Sequence, residues 1–169
     1  RLFGMTDDEV QNPESYYGKA KLVHYMEVLH RMCNSLGVCN FNTAHWDISF
    51  ANLDDLAELT SAAVGREITV QMMEDAAMRQ LNVEKALNLR FTHFDRRDDY
   101  PPGREMNEAL PSGPRKGWNI DKKKYDEMLD EYYMMHGWDV ETSFPTRATL
   151  EKYKLKKIAD DLETIGKLG

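Results

Sequence analysis

The stretch from Thr92 to Asn119 divides the chain, because no long helix can run through it. Pro101-Pro102-Gly103 and Pro111-Ser112-Gly113-Pro114 remove backbone donors and favour turns. Apolar residues recur at helical spacing on both sides, so the sequence predicts an all-α, multi-helical fold with one long irregular loop. Irregular loops beyond about 12 to 15 residues tend to carry function or be disordered. The mixed-sign cluster Asp95-Arg96-Arg97-Asp98-Asp99 at its start reads as a solvated or internally paired network.

Ahead of the loop, Asn12-Pro13 resembles a helix cap followed by proline at the first helical position. From there Leu22, Met26, Leu29, Cys33 and Leu36 recur in steps of three and four, which keeps one face toward a core. Lys21, His24, Glu27 and Arg31 fall off that face, and Gly37 is the expected stop. Asn42 to Trp46 is too short and polar to assign. Asn52 is a cap for a helix over Leu53 to Val64 that stops at Gly65, with Leu53, Leu56, Leu59 and Ala63 inward. Thr69 caps the next, whose stripe runs Val70, Met73, Ala77, Leu81, Val83 and Leu87 and ends near Arg90; its methionines read as adaptable core filler.

Beyond the loop, Asp121 caps a helix from Lys122 to His136, with Tyr125, Met128, Leu129, Tyr132 and Met135 inward and Gly137 as its stop. Pro145-Thr146 opens a last helical stretch, and the tail to Gly169 is expected to fray. There is no internal repeat and no convincing strand pattern.

The chain has 169 residues, about one domain's worth, and reads as a single helical domain over residues 1–169. Lys and Arg number 22 against 29 Asp and Glu, a net charge of -7, with no long basic run to meet phosphates, so no nucleic-acid partner is expected. No apolar run reaches the roughly 18 residues needed to span a membrane, and no signal-peptide pattern opens the sequence, so a cytoplasmic protein without a membrane partner is expected. Two cysteines make no disulfide framework. The chain begins at Arg1 rather than Met, as expected of a piece of a longer polypeptide.

Cys33 and Cys39 flank Gly37 at a spacing unlike redox C-x-x-C pairs or short zinc patterns. By residue type alone, each is a small apolar core residue or a soft metal ligand. His24, His30, His45, His93 and His136 are scattered and read as structural or surface histidines.

Several motifs in the same order are similar to the C-terminal part of the tungsten-containing aldehyde ferredoxin oxidoreductase family. Asn34-Ser35-Leu36-Gly37-Val38-Cys39 resembles that family's D-S-L-G-[LV]-C pattern, preceded by Gly18-Lys19-Ala20. Val83-Glu84-Lys85-Ala86-Leu87-Asn88-Leu89-Arg90 resembles its E-[RK]-x-[FL]-N-x-R helix end. Arg97-Asp98-Asp99, Pro102, Arg104 and Leu110 to Pro114 follow inside the loop. Met128 to Tyr133, Gly137-Trp138-Asp139 and Pro145-Thr146 complete the order.

The resemblance implies the C-terminal domain of an enzyme that oxidises aldehydes to carboxylic acids. Such enzymes use a tungsten (or molybdenum) bis-molybdopterin beside a [4Fe-4S] cluster and pass electrons to ferredoxin; some relatives act on other substrates, including aromatic acyl-CoA rings. It implies Cys39 as the fourth cluster ligand, and Asn34, Gly37 and Val38 as residues at the pterin. Asn34 stands where the family has an aspartate; it keeps a carbonyl acceptor and loses the charge. Cys33 falls outside the pattern, on the apolar stripe. The other three cluster cysteines, the N-terminal pterin-holding domain and the acid–base residues precede the part matched, so no catalytic residue and no cofactor held by this chain alone are expected. The contrasting expectations are a stand-alone helical interaction module that keeps the fold without cofactor, and an unrelated helical protein with both cysteines in its core.

Overall fold

The computed structural model describes residues 5–43 and 52–169, and their order is helix after helix: α1 (Asp7–Gln11), α2 (Lys19–Leu36), α3 (Leu53–Val64), α4 (Val70–Phe91), α5 (Gly103–Asn107), α6 (Lys122–His136), α7 (Arg147–Lys152) and α8 (Lys156–Thr164). Among the described residues no strand forms, and an isolated bridge joins Trp138 to Pro145. The all-α expectation is met.

Local chemistry sets most of the helix ends. Asn52 accepts from the Asp54 and Asp55 amides while Asp55 reaches back, so α3 begins in a capping box. Thr69, Asp121 and Thr146 cap α4, α6 and α7 without the reciprocal bond, each accepting from an amide three residues on. Gly37, Gly65 and Gly137 close α2, α3 and α6 in the left-handed conformation.

The start of α2 differs from the sequence expectation. Asn12 closes α1 and turns the chain, its side chain accepting from the Glu14 amide, and α2 begins after Gly18 at φ 68°. A side chain at Gly18 would run into Met5, which is buried against it. Thr6 and Glu9 form a capping box that starts α1, a short helix the apolar periodicity does not predict.

Three apolar clusters hold the helices. The first joins α2, α3 and α4 through Leu29, Cys33, Leu56, Ala77 and Leu81. The second packs Ala86 and Leu89 of α4 against Leu150 of α7 and Ala159 and Leu162 of α8. The third gathers Leu129, Tyr133 and Trp138. Several predicted stripe residues lie outside: Leu36, Leu59, Ala63, Val83 and Leu87 are exposed. On α4 the buried line passes instead through Met78, Asn82, Ala86 and Leu89, because its second half meets α8 on a different side from the one that meets α2 and α3.

The loop is pinned to α6 by its charged start, which forms a 3₁₀ turn over Arg96–Asp99. Arg96 donates to Asp130 at 2.6 Å, to the Val140 carbonyl at 2.6 Å and to the Asp126 carbonyl at 3.2 Å. The Tyr133 hydroxyl donates to Asp99 at 2.6 Å. Within the cluster Arg97 donates to Asp95 at 2.6 Å, so part of it is internally paired and part is bonded to α6. The tail is anchored rather than frayed: the Gly169 amide donates to the Pro145 carbonyl at 3.0 Å, and Lys167 lies over the Phe144 ring.

The corrected stripe yields a paired test. Leu89→Ala should cost about 2–5 kcal/mol in urea unfolding, as for a fully buried leucine. Leu87→Ala, two residues earlier on the open side, should change stability by about 0.5 kcal/mol or less.

Candidate functional site

The last turn of α2 places the two cysteines in different environments. The Gly37 amide donates to the Asn34 carbonyl, and the Val38 amide reaches back to the Cys33 carbonyl at 2.9 Å, which turns the chain off the helix axis. Cys33, one turn inside the helix, is wholly buried, with Sγ 3.4 Å from Thr43 Oγ1. Cys39, past the turn, is an exposed free thiol. Val38 between them packs half-buried against the first cluster. The short 3₁₀ turn Asn40–Asn42 follows, and the Thr43 hydroxyl donates to the Cys39 carbonyl at 3.2 Å.

Asn34 is exposed, and its Oδ1 accepts from Asn40 Nδ2 at 2.9 Å. That bond uses one of the two lone pairs on the acceptor which the asparagine had kept. It also leaves Asn40 Oδ1 buried with no partner among the described residues. An unmet buried acceptor on the residue after an exposed cysteine calls for a donor from ordered water or a bound group. The structure thus gathers Asn34, Gly37, Val38 and Cys39 on one turn.

A second constellation is not apparent from the sequence. His24 and Glu27 lie one turn apart on α2, on the side expected to face away from the core, and that side meets α6. There Glu27 Oε2 is 3.0 Å from Nε2 of His136, which is 1% exposed, and the Tyr132 hydroxyl donates to Glu27 Oε1 at 2.9 Å. Burial pushes the Glu27 carboxyl up, but the hydrogen bond and charge of His136, with the Tyr132 hydroxyl, outweigh it and hold the group below the usual carboxylate range. His24 is lowered by burial and then by His136, while Tyr132 is pushed far up by burial and by Glu27. The histidines are therefore not all scattered; His45 lies outside the described residues. The His24-x-x-Glu27 spacing is visible in the sequence, but nothing local ties it to a residue at 136.

Beside this cluster, Glu27, Arg31, Lys85, Asn88, Asp99 and Tyr132 line a polar cleft of about 200 Å³ between α2, α4 and α6. Lys85 is lowered by burial; its Nζ donates to Ser143 Oγ at 3.1 Å and lies 4.8 Å from the Trp138 ring centre.

Residues 3–155 match the family model described as aldehyde ferredoxin oxidoreductase, domains 2 and 3. The chain belongs to the aldehyde ferredoxin oxidoreductase family. A tungsten-containing aldehyde ferredoxin oxidoreductase of Pyrococcus furiosus is 32% identical over 127 residues, and that of Pyrococcus abyssi 28%. Each alignment covers 75% of this chain and 20% of the relative, so the chain spans about a fifth of the length of these oxidoreductases. The fold matches a solved structure of the active-site complex BamBC of benzoyl coenzyme A reductase with 1,5-dienoyl-CoA, at a TM-score of 0.75 and 23% identity over 94% of this chain and 22% of that one. Within this aldehyde ferredoxin oxidoreductase domain the whole turn from Asn34 to Cys39 falls inside the matched residues.

The turn that presents Cys39 rests on one backbone conformation. Gly37 has φ 71°, and a side chain there would meet only open space, so Gly37→Ala should cost about 1–2 kcal/mol through backbone strain alone. Gly37→Asn should cost less, since asparagine tolerates the left-handed region. Chemical unfolding of both variants measures the difference.

Proposed function

We propose that this chain is the C-terminal helical domain, over residues 1–169, of an aldehyde ferredoxin oxidoreductase-type enzyme. It helps enclose a tungsten (or molybdenum) bis-molybdopterin and supplies one thiolate to a [4Fe-4S] cluster, in the oxidation of an aldehyde to a carboxylic acid. The observation that carries the reading is Cys39: a free thiol, exposed just beyond the α2 turn, inside the family match.

The donor set fits a shared cluster. Iron–sulfur clusters of this type take cysteine thiolates, and the chain has two cysteines, of which Cys33 is enclosed by apolar neighbours and Thr43. One thiolate thus comes from Cys39, and the remaining ligands come from the rest of the enzyme, its principal partner. Asn40 Oδ1 suits a pterin N–H donor, with Asn34 behind it as the residue that fixes the Asn40 amide. When bound, the paired cofactors supply oxidation of the substrate and relay of electrons toward ferredoxin. The chain's own part is to hold the thiolate on a turn that Val38 anchors to the core, and to exclude water with the helices packed behind α2.

The stand-alone module draws support from the same turn, because Asn34 Oδ1 is already engaged within the chain. Metal and iron content of the full natural polypeptide separates the two readings. Cys39→Ser should lose cluster iron while Cys33→Ser retains it. Iron unchanged in Cys39→Ser, or no iron in the unmodified polypeptide, would favour the module.

A further inference from the structure

Three lone-pair atoms converge where α2 meets α6. His24 Nδ1 is 3.4 Å from His136 Nε2, His136 Nε2 is 3.0 Å from Glu27 Oε2, and one ligand atom from each residue lies within 4.8 Å of the others. Around a tetrahedral zinc ion, bonds of about 2.0–2.1 Å put neighbouring ligand atoms about 3.4 Å apart. The two histidines already have that separation, the carboxylate is near it from His136, and the remaining pair is within 4.8 Å.

The hydrogen bonds fix which atoms point inward. His136 Nδ1 is 2.7 Å from the Tyr132 carbonyl, which can only accept, so Nδ1 carries the hydrogen. In the neutral ring the Nε2 lone pair then faces Glu27 Oε2, another acceptor, at a nearly solvent-free position. Between two acceptors so placed there must lie either a proton or a metal ion. A single proton on Nε2 serves one partner well, whereas a metal ion takes Glu27, His136 and His24 together.

Tyr132 supplies the supporting shell from both its ends. Its carbonyl sets the His136 tautomer, and its hydroxyl occupies Glu27 Oε1, leaving Oε2 to the site. A ligating histidine that donates its other ring N–H to a carbonyl is the usual outer-shell arrangement. The Tyr132 and Trp138 rings flank His136 at 4.1 and 4.7 Å between centres and limit its rotation.

We propose that His24 Nδ1, Glu27 Oε2 and His136 Nε2 form a site for a divalent cation of the zinc class, which fastens α2 to α6. Two imidazoles and one carboxylate suit zinc and leave a position open for water or a further ligand. The site contains no cysteine and is separate from the Cys39 turn. By fixing α2, it steadies the helix whose last turn presents Cys39.

Zinc titration of the full natural polypeptide, stripped with a chelator and carrying Cys39→Ser to remove the exposed thiol, tests the assignment. We expect about one zinc ion fewer per chain in the His24→Ala and Glu27→Gln variants than in this parent, since any zinc on cysteines elsewhere in the polypeptide is common to all of them. Tyr132→Phe should weaken binding about 10–100-fold, because it frees the ligating carboxylate. With cobalt in place of zinc, the part of the spectrum lost in the His24→Ala and Glu27→Gln variants should be the d–d absorption of a tetrahedral site without thiolate charge transfer. Far-UV circular dichroism checks that each variant is folded, and His24, only half-buried, tolerates replacement best. Equal zinc uptake by the variants, a thiolate signature in the spectrum they lose, or no uptake at all would overturn the proposal and leave a proton shared by Glu27 and His136.

Discussion

Helix α2 is packed on two sides, against α3 and α4 through Leu29 and Cys33 and against α6 through His24 and Glu27. The rest of the arrangement depends on that double contact. The apolar side is stabilised by burial, at about 25 cal/mol per Å² of apolar surface removed from water. The polar side works by fit: Glu27 finds Tyr132 and His136, and Arg31 pairs with Glu84 of α4. A helix held on both faces cannot rotate about its axis without losing one of them. The turn after it therefore presents Cys39 to solvent and keeps Cys33 inside.

A buried polar chain ties the second half of the fold to the first. The Trp138 indole donates to Asn82 Oδ1 at 3.0 Å, and Asn82 Nδ2 donates to the Met78 carbonyl at 2.9 Å, so a fully buried asparagine in the middle of α4 is satisfied at both ends. Lys85, one turn on, reaches Ser143, which adopts φ 65° in the segment after Trp138. Unpaired polar groups at these depths are costly, so the contacts select one placement of the Trp138 to Pro145 segment on α4. Arg96 adds a third fastening from the loop to α6.

What is legible in the sequence follows from how local each signal is. The limits of α3 and α6 and the start of α4 can be read because Asn52, Thr69, Asp121, Gly65 and Gly137 bond to groups within a few residues. The family motifs around Cys39 are readable for a similar reason. The start of α2 is not, because Asn12-Pro13 carries a helix signal while Gly18, buried against Met5, sets the boundary through a contact across a turn. Val83 and Leu87 fall off the true stripe because the neighbour of α4 changes from α2 and α3 to α8 along its length, which moves the buried line around the helix. His24, Glu27 and His136 carry no signal that joins them, since two of them resemble solvent-facing residues of one helix and the third ends another.

The role of the α2 turn depends on the opposite exposure of the two cysteines that flank it. Alkylation of the native polypeptide with iodoacetamide, followed by peptide mass mapping over time, measures that difference directly. After iron is removed by a chelator, Cys39 should be modified promptly and Cys33 only as the chain unfolds; before removal, Cys39 should be protected. Equal labelling of both thiols in the folded state, or labelling of Cys33 first, would contradict it.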